Sequence, residues 1–188
     1  LNPKQADGHI LLGLTHLQAE HYDKAVEAFE MGILHNPGSA DLYFNLGTAY
    51  DKLNRFDDVV RAMEKTLQLD AAHADALNYL GYSYADRGIK IEEALSLTKR
   101  AVALKPANGY YVDSLGWAFF RMGLMKEALT EIQRAITLAG DDPVIFEHLG
   151  EAYFRRGNVE GARRSWERAL QLDPERLTTR EKLDQLTP

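Results

Sequence analysis

Residues 80–123 read LGYSYADRGIKIEEALSLTKRAVALKPANGYYVDSLGWAFFRMG, and the spacing inside this stretch decides the fold. Leu80-Gly81 returns 35 residues later as Leu115-Gly116, and each pair is followed by an aromatic ring, Tyr84 and Phe119. Outward from here the same pair stands at Leu12-Gly13, Leu46-Gly47 and Leu149-Gly150. The five glycines are thus separated by 34, 34, 35 and 34 residues. A fixed period of this length marks one small unit stacked on copies of itself.

Aligned on the glycine, the copies agree further along. Small or slim residues recur at Ala25, Val59, Ala94, Ala128 and Ala162, and again at Gly32, Thr66, Ala101, Ala135 and Ala169. Between them stand Phe29, Met63, Thr98, Ile132 and Trp166, and the units close at Pro37, Ala71, Pro106, Gly140 and Pro174. Offsets of three, four and seven are helical, so each unit reads as two amphipathic helices joined by a short polar turn. Proline lacks the N–H that would continue a helix, so it ends the second one. A mid-helix glycine costs about 1 kcal/mol against alanine. The offset expected for that cost is close approach of the glycine to the small residue on the second helix. Neither helix buries its stripe alone, so stability is expected to be a sum over neighbouring units.

This pattern resembles the tetratricopeptide repeat over nearly the whole chain. The resemblance implies an all-α fold, an α-solenoid of five stacked helix-turn-helix repeats in a right-handed superhelix, with a C-terminal capping helix. The repeats fall at 6–39, 40–73, 74–108, 109–142 and 143–176. Leu1-Asn2-Pro3 looks like the end of a unit, so 1–5 are expected to be the tail of a preceding repeat in a longer array. Residues 177–188 are expected to form the capping helix and tail. His16 and Thr98 stand where the family is usually large and apolar, and the third repeat carries an extra residue near Asp86-Arg87-Gly88.

In this family the first helices line a groove, and fixed offsets from the shared glycine face it. Carried over residue by residue, the offsets nominate Phe44, Asn78, Tyr82, Asp113, Trp117, Phe120, Arg121, Glu147, Glu151, Phe154 and Arg155 as partner-binding. Aspartates Asp7, Asp41 and Asp75 mark the N-terminal half, and aromatics beside Arg121 and Arg155 mark the C-terminal half; such residues dominate binding hot spots. Phe120 and Phe154 either face the groove or pack between adjacent first helices. Trp117 is expected at the groove surface and Trp166 in the core. Five helices 8–10 Å apart give a groove on the order of 40–50 Å, room for roughly 12–15 extended residues. The basic pair with which some members clamp a C-terminal carboxylate is absent, its slots holding Ile10 and Leu14, or Phe44 and Thr48.

The function expected is a protein-interaction scaffold binding an extended peptide or partner surface. The alternatives are the substrate-targeting arm of a larger enzyme, such as a protein glycosyltransferase, or a self-assembling structural array. An asparagine ladder of the kind that lines glycosyltransferase arms is represented by Asn45 alone. Residues 80–123 also look like bacterial multi-repeat proteins, some of them envelope lipoproteins, which leaves the compartment open between cytoplasm and cell envelope.

Composition narrows the chemistry. Hydrophobic content of 45% and charged content of 27% fit a folded domain. The net charge of −6 and the lack of a strongly basic repeat argue against nucleic acid. No apolar run is long enough to span a bilayer, so no membrane contact is expected. Cysteine is absent, which excludes disulfides and thiolate metal sites. The six histidines lack metal-ligand spacing; His16 is read as filling an aromatic core slot and the others as solvated. Acidic pairs Asp57-Asp58, Glu92-Glu93 and Asp141-Asp142 suit helix starts, where they complement the dipole. No nucleophile motif or phosphate-cradling loop occurs, so neither an enzyme nor a cofactor is expected. Self-association through the uncovered apolar face of the N-terminal repeat is a further expectation.

Overall fold

The computed structural model describes residues 3–186, with side chains from Asp7 to Leu186. Residues 1 and 2 of the expected tail at 1–5, and 187 and 188, lie outside the described residues; 3–5 are the start of the first helix rather than a separate tail. Among the described residues the chain forms helices α1 (Pro3–Gln18), α2 (Tyr22–His35), α3 (Ala40–Lys52), α4 (Phe56–Leu69), α5 (Ala74–Arg87) and α6 (Ile91–Leu104). They are followed by α7 (Gly109–Arg121), α8 (Met125–Ala139), α9 (Pro143–Arg155), α10 (Val159–Leu172) and α11 (Leu177–Asp184). None of them is long and apolar enough to cross a membrane. The chain divides into two compact units, residues 1–80 and 81–188.

In the first unit α1 pairs with α2 and α3 with α4, and α2 packs on α3. In the second, α7 pairs with α8 and α9 with α10; α6 packs on α7, α8 on α9 and α11 on α10. Local chemistry sets the helix ends. The Ser39 hydroxyl accepts from the Leu42 N–H, and the Asn108 and Asp142 side chains each accept two N–H groups of the helix that follows. Asp57 and Asp58 occupy the first turn of α4, and Glu92 and Glu93 that of α6. The hairpin turns need a left-handed residue, met at Glu20, Asn54, Gly88, Gly123 and Gly157. The third turn, with its extra residue, takes a second one at Lys90.

The glycine ladder packs differently from the sequence expectation. A Cβ on Gly13, Gly47, Gly81, Gly116 or Gly150 would meet Phe29, Met63, Thr98, Ile132 or Trp166, respectively. The glycine is therefore a hole that receives the mid-helix side chain of the second helix; the expected small residues come near it at Gly81 and Gly116, through the Ala94 and Ala128 carbonyl oxygens at 3.1 and 3.3 Å. The reason is volume: the knob needs the space of the missing side chain, and interiors leave no spare room. Trp166, Phe29, Met63 and Ile132 are accordingly buried. Thr98 fits the same slot because its hydroxyl donates to the Ala94 carbonyl at 2.9 Å, so burial leaves no orphaned donor.

Candidate functional site

In the second unit the residue one step after each glycine does face a common space. Tyr82 of α5, Trp117 of α7 and Glu151 of α9 line one cavity of about 240 Å3, together with Asp86, Val144, Glu147, His148, Arg176, Thr178 and Lys182. Of the residues nominated from sequence, Tyr82, Trp117, Glu147 and Glu151 are thus brought together.

One side of the cavity is an aromatic stack. The Trp117 ring lies against Phe120 at 4.6 Å and 10° and against His148 at 4.2 Å and 15°. The expectation that Trp117 stands at the surface is corrected: it is only 8% exposed, because a ring on either side covers its faces. Phe120 is buried in the same stack, and the Arg155 guanidinium lies 5.4 Å above its ring. Trp166 is 2% exposed, as its core position required. The solvated reading of His148 is corrected too. Its Nδ1–H donates to the buried Asp113 carboxylate at 2.8 Å. Burial opposes the charged ring, but the Asp113 charge and hydrogen bond outweigh it, with Glu147 and Asp86 adding, so the His148 pKa is raised.

The rest of the lining is ionic. Arg176 donates to Glu147 through both Nε and a terminal nitrogen. Lys182 on α11 bridges Glu147 at 3.1 Å and Glu151 at 2.6 Å. Burial would raise the Glu147 pKa, but the bonds from Arg176 and Lys182 prevail and lower it. Tyr82 has its hydroxyl pKa pushed up, first by burial and then by the carboxylates of Asp86, Asp113 and Glu147.

The remaining nominated residues sit elsewhere. Arg121 donates to the Asp86 main-chain carbonyl at 2.8 Å and lies 5.9 Å from the Trp117 ring. Phe154 is half exposed, tilted against Trp166 at 5.6 Å. Phe44 and Asn78 belong to the first unit. There Phe44 packs on His73 at 4.9 Å and edge-on to Tyr79. His73 is fixed in turn: its Nδ1 accepts from the Ala76 N–H and its Nε2 faces Asp41 at 3.4 Å. Asp7, Asp41 and Asp75 are exposed.

Four residues of the cavity escaped the sequence reading although the same arithmetic finds them: Val144, six before Gly150, is one. Asp86 is five after its glycine, as Lys52, Arg121 and Arg155 are. One more 34-residue step from Gly150 reaches Asp184, and the offsets two and six before it select Lys182 and Thr178. The helix α11 lacks the glycine that would have anchored the count.

Helix hairpins repeated at this period, with a polar cavity walled by successive first helices, define a helical repeat scaffold. The chain belongs to the tetratricopeptide repeat family, whose models match residues 10–58 and 44–109 and, separately, 143–176. Solved structures similar to it include the 41-to-end fragment of MamA from Desulfovibrio magneticus RS-1, 19% identical, with a TM-score of 0.76 over 92% of this chain and 97% of that one. A thermophilic TPR protein of Thermus thermophilus is 21% identical, with a TM-score of 0.76 over 96% of this chain and 98% of that one. PilF of Pseudomonas aeruginosa is 20% identical, with a TM-score of 0.77 over 90% of this chain and 77% of that one. At these identities the likeness is one of fold. No curated protein matches the chain in sequence.

Proposed function

We propose that the chain is a non-catalytic protein-interaction scaffold that receives an extended peptide or partner surface along its first helices. The fold is generally an interaction scaffold. The observation that supports groove binding is the convergence of Tyr82, Trp117 and Glu151, one residue per repeat at the same offset, on a single cavity. Arranged this way, successive repeats present different side chains to one ligand, and rigid aromatic and charged anchors supply most of the affinity. A photo-crosslinking amino acid at Tyr82 or Phe154, compared with one at exposed Thr130 on α8, tests the reading. Crosslinks to a partner are expected from the first two positions. The same partner captured as efficiently from Thr130 would refute groove binding.

A second reading rests on the first unit, where Leu11, Leu12, Leu14, Met31 and Leu34 are exposed. Scattered apolar residues are ordinary, but Leu12 and Met31 line one shallow cavity between α1 and α2 that another copy could cover. Sedimentation of the wild type against Leu12→Glu/Met31→Glu decides it: self-association lost in the variant supports this reading, and a monomeric wild type removes it.

A further inference from the structure

We infer that the cavity of the second unit receives one cationic side chain, an arginine or lysine, from an extended partner segment, with Asp86 as its counter-charge. This assignment rests on the groove reading above and names the chemistry that the groove selects at this point.

Size comes first. Pockets for drug-sized ligands run to roughly 300–1,000 Å3. A cavity of about 240 Å3 suits a single side chain.

Charge comes second. The lining holds three carboxylates, Asp86, Glu147 and Glu151, against two cations, Arg176 and Lys182. Both cations are engaged: Arg176 with Glu147, and Lys182 with Glu147 and Glu151. The His148–Asp113 pair adds no positive charge in either protonation state. Asp86 differs from the other two carboxylates. Its main-chain carbonyl accepts from Arg121, and its carboxylate has no ion pair among the described residues. The Tyr82 hydroxyl beside it likewise has no hydrogen-bond partner among the described residues. A free carboxylate and a free hydroxyl acceptor are what an ammonium or guanidinium group needs, since both groups only donate.

The walls supply the third argument. The cavity already holds a guanidinium and an ammonium of this chain against Glu147 and Glu151. An incoming anion would have to displace those carboxylates from their partners, whereas an incoming cation displaces nothing. The Phe120–Trp117–His148 stack, anchored by Asp113, keeps the wall rigid, so little ordering accompanies binding.

Two indole N–H resonances provide the readout, Trp117 beside the cavity and Trp166 in the core. The probes are three blocked five-residue peptides, alanine throughout except for a central arginine, citrulline or glutamate. The arginine peptide is expected to shift the Trp117 signal and leave Trp166 unmoved. It should bind about fivefold tighter than the citrulline peptide, the range of a partly exposed ion pair. Asp86→Asn should abolish that preference, and Tyr82→Phe should weaken it; Asp86 is exposed, and unchanged circular dichroism verifies the fold. Equal binding of the three peptides at Trp117 would overturn the cation assignment and leave groove binding standing, as would tighter binding of the glutamate peptide. If no peptide perturbs Trp117, Tyr82 or Glu151, the groove reading fails with it.

Discussion

His148 Nδ1 lies 2.8 Å from the Asp113 carboxylate, joining two consecutive first helices through a pair whose side chains are each 7% exposed. Breaking the pair from the Asp113 side leaves a buried imidazole that loses its proton and keeps an unsatisfied N–H. Asp113→Ala is expected to destabilise the second unit by about 1–3 kcal/mol, the cost of an orphaned buried polar group. Urea unfolding followed by helix signal measures it, and a loss below about 1 kcal/mol would show the pair to be dispensable.

The same pair sets a pH dependence. The folded His148 pKa is raised above the ordinary 6.5, because Asp113, Glu147 and Asp86 outweigh burial. A raised histidine contributes its stability fully below the unfolded value and loses it as pH climbs through the folded one. The unfolding midpoint is therefore expected to fall as pH rises from 6.5 upward, and His148→Gln should flatten that fall. Parallel slopes in wild type and variant would exclude His148 as the source.

Glu147 has the opposite sign. Its pKa is held below 4.5 because Arg176 and Lys182 overcome the effect of burial. Its stabilisation is present above 4.5 and disappears as pH falls through the lowered value. Removing both cations in Arg176→Ala/Lys182→Ala should cost about 1–3 kcal/mol, the range for hydrogen bonds to charged groups. Hydrogen exchange along 176–186 should rise selectively; unchanged protection there would mean that α11 docks without them.

Not every nominated residue is a clean probe of binding. Trp117→Ala is expected to cost about 3–5 kcal/mol by emptying a stacked, buried site. Phe154→Ala, half exposed, should cost about 1 kcal/mol or less. Thermal unfolding of the two variants separates lost folding from lost recognition, and equal destabilisation would contradict the burial difference.

The glycines differ in what they tolerate. A methyl on Gly47 would meet the Met63 methyl at 2.6 Å, the mobile end of a flexible side chain. On Gly116 it would meet Ile132 Cγ1 at 2.6 Å and the Ile132 main-chain nitrogen at 3.0 Å, which cannot rotate away. Gly116→Ala should cost about 1–3 kcal/mol, as overpacking does, and Gly47→Ala clearly less. Denaturant midpoints of the two variants test the order.

The helices and the core were legible because periodicity reports which face is buried. Trp166 and Phe29 follow from their phase alone. What periodicity does not report is what covers a groove-facing ring. Trp117 sits at the offset that faces the cavity, yet Phe120 on its own helix and His148 on the first helix of the following repeat cover its faces. That contact depends on the chemistry of two particular neighbours, not on phase. Lys182 and Thr178 were hidden for a different reason, since α11 keeps the spacing but not the glycine. The glycine packing itself was misread because small residues flank the true contact, and offset alone does not tell a knob from its border.

The position after each glycine holds Leu14, Thr48, Tyr82, Trp117 and Glu151 in successive repeats. Five unlike side chains occupy equivalent places on helices whose Leu-Gly anchors are the same. Under the groove reading proposed above, that one place varies the chemistry offered to a ligand while the Leu-Gly anchors beside it stay constant. Where the residue is buried, as Trp117 is, the variation carries a cost in stability, so a repeat changes its preference together with the neighbours that cover the side chain.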